Sequence, residues 1–145
     1  LDLVGRKLGI AGGRPVKRYF AMLDQYMKDY ADAPHVAELK AAKDRLQKAT
    51  MWLMQNGMMD REQAGAAATP YLRLFALTTV AYFWSRMAKV AQEQLAGGST
   101  ETHFYQAKIK TAHFFMSKLL PQTESLLTEI EAGKESLMAL DVAEF

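Results

Sequence analysis

The sequence predicts an all-α fold: an up-and-down four-helix bundle whose third and fourth helices are long and kinked. Half of the 145 residues are hydrophobic, with only nine glycines and four prolines. Such a composition, with abundant Ala, Leu, Lys and Glu, favours helices over strands. Apolar residues recur three and four positions apart in successive stretches, which is the spacing of one helix face. Brief glycine or proline breaks separate these stretches, so we expect neighbouring helices to be antiparallel.

The central stretch, residues 64–84, reads AGAAATPYLRLFALTTVAYFW and carries one charge, Arg73. A helix that is apolar nearly all round is typical of one surrounded by partners. We therefore expect this helix to be enclosed, with its large side chains buried: Leu72, Phe75, Phe83 and Trp84. The length would also suit a membrane span, but Arg73, Pro70 and the hydroxyl and alanine content favour a buried bundle helix, and no transmembrane segment is predicted.

The first two helices follow from spacing and breaks. Pro15 suits a first helical position, and we expect helix one over about Arg14 to Ala31. Its predicted inner residues are Val16, Phe20, Leu23, Met27 and Tyr30. Asp32 and Pro34 end it, and a second helix runs to Gly57 with a heptad-like stripe. That stripe comprises Leu39, Ala42, Leu46, Ala49 and Leu53.

The third and fourth helices carry cap signals. Asp60 followed by Gln63 resembles a capping box, and Pro70 predicts a kink, or a fresh start, near Ala66. Gly97 and Gly98 end the third helix, after which Ser99 or Thr100 can cap the fourth. Pro121 bends or restarts the fourth helix, and Gly133 is placed as its C-cap. The predicted inner face of the fourth helix comprises Phe104, Ala107, Thr111, Phe115 and Leu119.

These boundaries divide the chain into three parts. Residues 14–133 form the predicted bundle, and residues 134–145 form a tail whose apolar side chains need a partner surface if they are ordered. Residues 1–13 read as the end of a helix that began upstream, followed by a linker. The chain begins with Leu and shows no signal-peptide pattern, so we interpret it as a piece of a longer protein.

Composition excludes several functions. The chain has no cysteine, which rules out disulfides and thiol nucleophiles. Residues 1–61 hold eleven Lys or Arg against seven Asp or Glu, and residues 121–145 hold one against six. The basic residues are dispersed among carboxylates rather than collected on a face with aromatic residues, so no nucleic-acid partner is predicted.

No catalytic, cofactor-binding or metal-binding residues are predicted. Paired Glu-x-x-His motifs of di-iron bundles are absent, and His35 with Glu38 gives a single His-x-x-Glu. His103 and His113 lie ten residues apart, about 15 Å along a helix, so they cannot share a site. The carboxylates read as isolated charges on solvent faces or as helical pairs such as Asp24 with Lys28.

Three further features of the sequence have a functional as well as a structural interpretation. Gly9, Gly12 and Gly13, followed by basic residues, could cradle phosphate, but no strand or phosphate-loop motif accompanies them, so a linker is favoured. Arg73 is expected to find a structural partner or to extend to solvent. The methionines of 51–59 could form an adaptable docking surface, although core filling is commoner.

Several segments resemble the C-terminal helical domain of long bacterial acyl-CoA dehydrogenases. LDLVGRKL at the start is similar to the segment after the glycine-rich active-site stretch of these enzymes. TPYLRLFALTTVAYFWSRMA, FYQAKIKTAHFFMSKLLPQTESLLTEIEAG and ESLMALDVAEF are similar to the extra domain itself. Members of the 3-methylmercaptopropionyl-CoA dehydrogenase type belong to this group.

The resemblance implies a parent enzyme that oxidises acyl-CoA to 2-enoyl-CoA with FAD, passes electrons to an electron-transfer flavoprotein, and forms a cytoplasmic homo-oligomer. The family's catalytic carboxylate and most flavin contacts lie upstream of Leu1, so this piece alone is expected to be inactive and free of flavin. It would pack on the dehydrogenase core or a subunit interface, with 51–59 and the tail after Gly133 as docking surfaces. The alternative is a stand-alone interaction or membrane-peripheral bundle without catalysis.

Overall fold

A computed structural model describes residues 1–144, in which the regular secondary structure is all helical, without a β-strand. The five α-helices are α1 (Arg14–Asp29), α2 (Val36–Trp52), α3 (Arg61–Ala96), α4 (Thr102–Phe114) and α5 (Gln122–Glu131). π-helical turns lie at Leu3–Lys7, Leu53–Gly57 and Phe115–Leu119, and 3₁₀ turns at Ile10–Gly13 and Val142–Glu144. The predicted all-α class is confirmed, whereas the up-and-down order and the kinks stay predictions.

The first two helices form where their spacing indicates. In α1, Phe20 and Leu23 are buried as expected, Tyr26 is buried as well, and Val16 and Met27 are half-buried. Tyr30 follows the end of α1 and is exposed. The whole predicted stripe of α2 is buried, from Leu39 to Leu53. A buried ammonium adds an unforeseen contact here: Lys43 Nζ bonds Asp24 Oδ1 at 2.7 Å. The predicted pairing of Asp24 with Lys28 is therefore wrong, because a neighbouring helix supplies a better-placed cation.

Helix α3 is the scaffold on which the other helices pack. It is one helix from Arg61 to Ala96 with Pro70 inside it, so a fresh start near Ala66 does not occur. Asp60 caps it as predicted, since its Oδ1 accepts from the amides of Glu62 at 2.9 Å and Gln63 at 3.4 Å. The Gln63 side chain does not return to Asp60 and instead bonds residues 134 and 135. Only half of the predicted capping box forms.

The core has two halves along α3. One half gathers Leu46, Tyr71 and Leu74 with Ile130 of α5. The other gathers Leu23, Leu39 and Ala81 with Phe115 and Met116. The partner of α3 thus changes from α5 in its first half to the end of α4 and the following turn in its second half, while α1 and α2 contribute to both halves of the core.

The expectation that α3 is enclosed on every side is wrong. Leu72 is 57% exposed and Phe83 is 50% exposed, while Phe75 and Trp84 are half-buried. The face that packs inward is built largely from small residues, which let neighbouring helices approach closely. Its buried members include Ala64, Ala67, Ala68, Thr78, Ala81, Ser85, Ala88 and Ala91. Tyr71, Leu74 and Tyr82 are the large residues of this inward face, and other large side chains of α3 are left on the opposite face.

The predicted fourth helix is two helices. Pro121 restarts the chain as α5 after the π-helical turn at Phe115–Leu119. Of the predicted inner face only Phe115 is buried; Phe104, Ala107, Thr111 and Leu119 are exposed. The buried positions are Ala112, Phe115, Met116 and Leu120. They keep the spacing of three and four residues, so the buried face begins at small Ala112 rather than at the neighbouring Thr111. Gly133 ends α5 with φ +71°, as its C-cap role requires.

Candidate functional site

Within residues 1–144, no group of three or more histidine, aspartate or glutamate side chains is placed to hold a metal ion. In the same part of the chain, no helix is both long and apolar enough to cross a membrane. The candidate functional features of the described residues are two apolar surfaces, a groove and the tail.

Two of the three histidines lie close together although they are far apart in the sequence. The rings of His35 and His113 lie 6.0 Å apart, centroid to centroid, and His35 Nδ1 is 3.1 Å from Glu38 Oε1. His103 is exposed in the first turn of α4. Sequence spacing missed the pair of His35 and His113 because His35 precedes α2 and His113 belongs to α4.

The glycine cluster and Arg73 have structural roles. Gly12 and Gly13 adopt φ of +67° and +76°, which turns the chain into α1, and Arg14 Nε donates to the Ala11 carbonyl at 3.1 Å. Arg73 is exposed, and its guanidinium donates to Gln122 Oε1 at 2.7 Å. Both observations agree with the structural alternative that the sequence favoured.

The first apolar surface, which we term the methionine surface, comprises Met51, Met54, Met58 and Met59, all exposed. It borders an open cavity of about 660 Å³ between the two N-terminal turns and the Leu53–Gly57 turn. Leu1, Val4 and Leu8 line this cavity, and Arg61 is its one charged lining residue. Methionine is flexible and polarisable, so such a wall adapts readily to an apolar partner.

The second apolar surface, the outer stripe, runs along the exposed side of α3. It consists of eight uncharged residues spaced three and four apart: Gly65, Thr69, Leu72, Ala76, Val80, Phe83, Met87 and Val90. That spacing keeps them on one face, opposite the buried small residues. Single exposed apolar residues are ordinary, but a continuous row of them marks a contact site.

An apolar groove lies beside the C-terminal part of the outer stripe. It has a volume of about 450 Å³ and is lined by Phe83, Met87 and Val90 from α3 and by Phe104 and Tyr105 from α4. Its charged lining residues are Arg86 and Lys108, and the Lys108 ammonium lies 5.1 Å from the centroid of the Phe104 ring. The groove therefore combines an apolar floor with positive charge.

The tail starts at the other end of α3. Lys134 Nζ contacts Asp60 Oδ2 and Glu62 Oε2, each at 2.6 Å. These two carboxylates raise the pKa of Lys134, with Asp60 as the larger cause and Glu62 as the second. Lys134 in turn lowers the pKa of Asp60. This network anchors the tail beside the beginning of α3, while its apolar side chains Leu137, Met138, Leu140 and Val142 remain exposed.

Comparison with known proteins identifies the fold's relatives. A family model described as acetyl-CoA dehydrogenase C-terminal like matches residues 19–141. The chain belongs to this family. The match begins inside α1 and extends into the tail, so it includes α2 to α5 and the whole outer stripe.

One relative of this acetyl-CoA dehydrogenase C-terminal-like chain is a 3-methylmercaptopropionyl-CoA dehydrogenase from Ruegeria pomeroyi. The two are 28% identical over 142 residues, which cover 94% of this chain and 24% of the relative. The chain thus spans about a quarter of the relative's length. The resemblance stated from the sequence is confirmed at the level of this domain.

Sequence reasoning missed the outer stripe in this family member. A signal was present: small residues recur at helical spacing on one side of α3, from Ala64 through Ala81 to Ala91. Such a row permits close helix contact and so indicates the buried side, leaving the bulky residues outside. We instead expected the bulky residues to be buried because of their hydrophobicity.

Proposed function

We propose that this chain is the C-terminal helical domain of a larger FAD-dependent acyl-CoA dehydrogenase, in which it has a structural role. The parent enzyme would convert acyl-CoA to 2-enoyl-CoA, deliver electrons to an electron-transfer flavoprotein, and act in the cytoplasm as a homo-oligomer. The observation that carries the proposal is the family match over residues 19–141, together with a relative that is a dehydrogenase about four times longer in sequence.

The residues of this domain do not fit a flavin. Its largest described cavity, beside the methionine surface, is walled by Leu, Val, Met, Gly and Ala and offers one cationic side chain, Arg61. A flavin nucleotide carries a pyrophosphate and a ring edged with hydrogen-bonding atoms, and an apolar wall leaves these groups without partners. We therefore assign flavin binding and catalysis to the rest of the polypeptide, and this domain supplies no step of the reaction.

We assign the methionine surface to contact with the catalytic part of the enzyme. Leu1 lines the same cavity, so the segment that would precede it in a longer dehydrogenase leaves from this rim. A covalently attached core would be held close to the surface and would cover the exposed methionines at little entropic cost. The contact would fix the orientation of the bundle relative to the core.

Charge placed on the methionine surface of the full-length dehydrogenase tests this role. Met58 is 72% exposed, so Met58→Glu should leave the isolated domain folded but weaken its docking to the core. We expect a lower thermal midpoint and lower FAD retention for the full-length variant, measured by calorimetry and flavin absorbance. Met22→Glu, at an exposed position of α1, is the matched control and should change neither the thermal midpoint nor the FAD content.

Two results would contradict the proposal. A full-length polypeptide that neither binds FAD nor reduces a dye with any acyl-CoA would refute the dehydrogenase assignment. Equal midpoints and flavin contents for Met58→Glu and Met22→Glu, in an active enzyme, would refute only the docking surface.

A further inference from the structure

The outer stripe is long and continuous enough to pair with another helix. From Gly65 to Val90 it spans about 38 Å at 1.5 Å per residue. Its eight members are uncharged, and none of the helices formed by residues 1–144 covers it. α1 lies along one margin through contacts of Tyr19 with Phe75 and Thr79, and the groove against α4 lies along the other.

The stripe is graded in size along its length. Its first half holds mainly small residues, with Gly65, Thr69 and Ala76 around Leu72. Its second half holds Val80, Phe83, Met87 and Val90. A surface that is slim at one end and bulky at the other complements itself when it is turned end to end.

We propose that the outer stripe is the interface between two copies of this chain, with the two α3 helices antiparallel about a two-fold axis near residue 78. In this arrangement four kinds of contact form, each twice: Gly65 with Val90, Thr69 with Met87, Leu72 with Phe83, and Ala76 with Val80. Three of these combinations bring a small residue against a larger one. The same patch serves both copies, as a two-fold interface requires.

A parallel pair does not use the stripe as well. It would place Phe83 against Phe83 and Gly65 against Gly65, which crowds one end and leaves a gap at the other. Because protein interfaces are packed as densely as interiors, both defects reduce stability. The gradation therefore selects the antiparallel orientation.

Charge supports the same orientation. The tail is anchored beside Asp60 at the beginning of α3, so in the antiparallel pair it emerges next to the second copy's groove. The groove carries Arg86 and Lys108, and the tail carries Glu135, Asp141 and Glu144 beside its exposed apolar side chains. Opposite charges thus face each other across the proposed interface.

The tail also supplies area that the stripe lacks. A helix face about 38 Å long and 10 Å wide gives roughly 380 Å² per copy. Specific interfaces bury about 800 Å² per partner. The tail and the α4 wall of the groove, one of each on either side of the axis, are the available surfaces that can contribute the remainder.

The absence of cysteine from the sequence permits a clean cross-linking test on the 145-residue chain, independent of the proposed dehydrogenase. Gly65, Ala76 and Val90 are exposed, and a Cβ added at Gly65 meets no atom within 4 Å. Each residue is changed singly to cysteine. Under mild oxidation Ala76→Cys should form a disulfide dimer faster than either other variant alone, because its two copies lie nearest the two-fold axis, offset by about 6 Å along the helix axis.

Gly65→Cys and Val90→Cys should not cross-link alone, but an equimolar mixture should form the mixed dimer several-fold faster than either variant alone. Self-linking of Gly65→Cys at the rate of the mixture would indicate a parallel pair and overturn the proposal. Equal rates for all variants and mixtures would indicate random collision and would also overturn it.

Sedimentation velocity gives a second, independent measurement. The wild-type chain should dimerise with concentration, and Ala76→Glu should remain monomeric with unchanged helicity. Ala37→Glu, on the exposed side of α2, is the matched control and should dimerise like the wild type. A wild-type chain that stays monomeric up to about 1 mM, or equal dimerisation of the two variants, would show that something other than a second copy covers the stripe.

Discussion

A buried pair of hydroxyl groups joins α2 to α3. It permits a prediction of which of two substitutions destabilises the fold more. Tyr71 is completely buried, and its hydroxyl lies 2.8 Å from Thr50 Oγ1. Thr50 Oγ1 also donates to the Leu46 carbonyl at 2.7 Å. Since the threonine proton is used there, the tyrosine hydroxyl donates and the threonine oxygen accepts. The two partners are therefore not equivalent when one of them is removed.

Thr50→Val leaves the Tyr71 hydroxyl buried without an acceptor, and we expect a loss of about 1–3 kcal/mol in the free energy of unfolding. Tyr71→Phe removes the donor and leaves only an unused acceptor lone pair, so the expected loss is about 0.5–1.5 kcal/mol. The double variant removes both polar partners and should be about as stable as Tyr71→Phe alone. The coupling between the two substitutions is then roughly 1 kcal/mol or more.

Urea unfolding monitored by circular dichroism measures all four proteins of this cycle. In thermal unfolding, each kcal/mol corresponds to a shift of about 2–4 °C for a chain of this size. Additive losses, or a larger loss for Tyr71→Phe than for Thr50→Val, would refute the assigned direction of the hydrogen bond.

Tyr71 also makes the free energy of unfolding depend on pH. Burial raises the pKa of Tyr71 to about 12, compared with about 10 in an unfolded chain. The unfolded state therefore loses its proton first, and stability falls as pH rises from 10 towards 12, by roughly 2–3 kcal/mol from this group. Tyr71→Phe should fall less steeply over this range, and identical slopes for the two proteins would contradict the assignment.

Three further predictions concern other contacts. Asp24→Ala should cost about 1–3 kcal/mol because it leaves the nearly buried Lys43 ammonium without its 2.7 Å partner, whereas Lys43→Met should cost less; the opposite order in urea unfolding would contradict this. Asp60→Ala should lower the thermal midpoint more than Asp60→Asn, which retains the helix cap, and the advantage of the wild type over Asp60→Asn should vanish as pH falls below the lowered pKa of Asp60; a wild-type advantage that persists in acid would contradict the ion-pair contribution. Ala81→Leu should cost about 1–3 kcal/mol by overpacking the buried face of α3, while Ala76→Leu on the outer stripe should be neutral, and equal effects in thermal melts would contradict the assignment of the two faces.

The parts of the fold that depend on local signals could be predicted from the sequence. α1 and α2 begin and end close to their expected positions, because Pro15, the Asp32–Pro34 break and the Asp60 cap act within a few residues. The stripe of α2 was predicted correctly because its polar residues leave one unambiguous apolar face. Here local propensity and tertiary packing agree.

The faces of α3 and α4 could not be predicted from hydrophobicity alone. α3 is apolar on both sides, so the choice of buried side depends on how closely its neighbours approach, and Ala81 rather than Phe83 faces them. In α4, Ala112 is buried and Thr111 is exposed, so the buried face is displaced by one residue from the face that spacing from Phe104 implied. Contacts between distant segments, such as Asp24 with Lys43 or His35 with His113, depend on the packed arrangement and leave no mark in short-range spacing.

The central claim is that the outer stripe is exposed on a single chain and covered by a second copy. Thiol-labelling rates of single-cysteine variants test this claim most directly. Ala81→Cys lies on the buried face of α3 and Ala76→Cys on the outer face. In dilute solution Ala76→Cys should react like a free thiol and Ala81→Cys at least about 1,000-fold more slowly, since labelling there requires unfolding. At high protein concentration Ala76→Cys should become protected as the second copy covers it. Equal labelling rates for the two variants, or a rate for Ala76→Cys that does not change with concentration, would contradict the account.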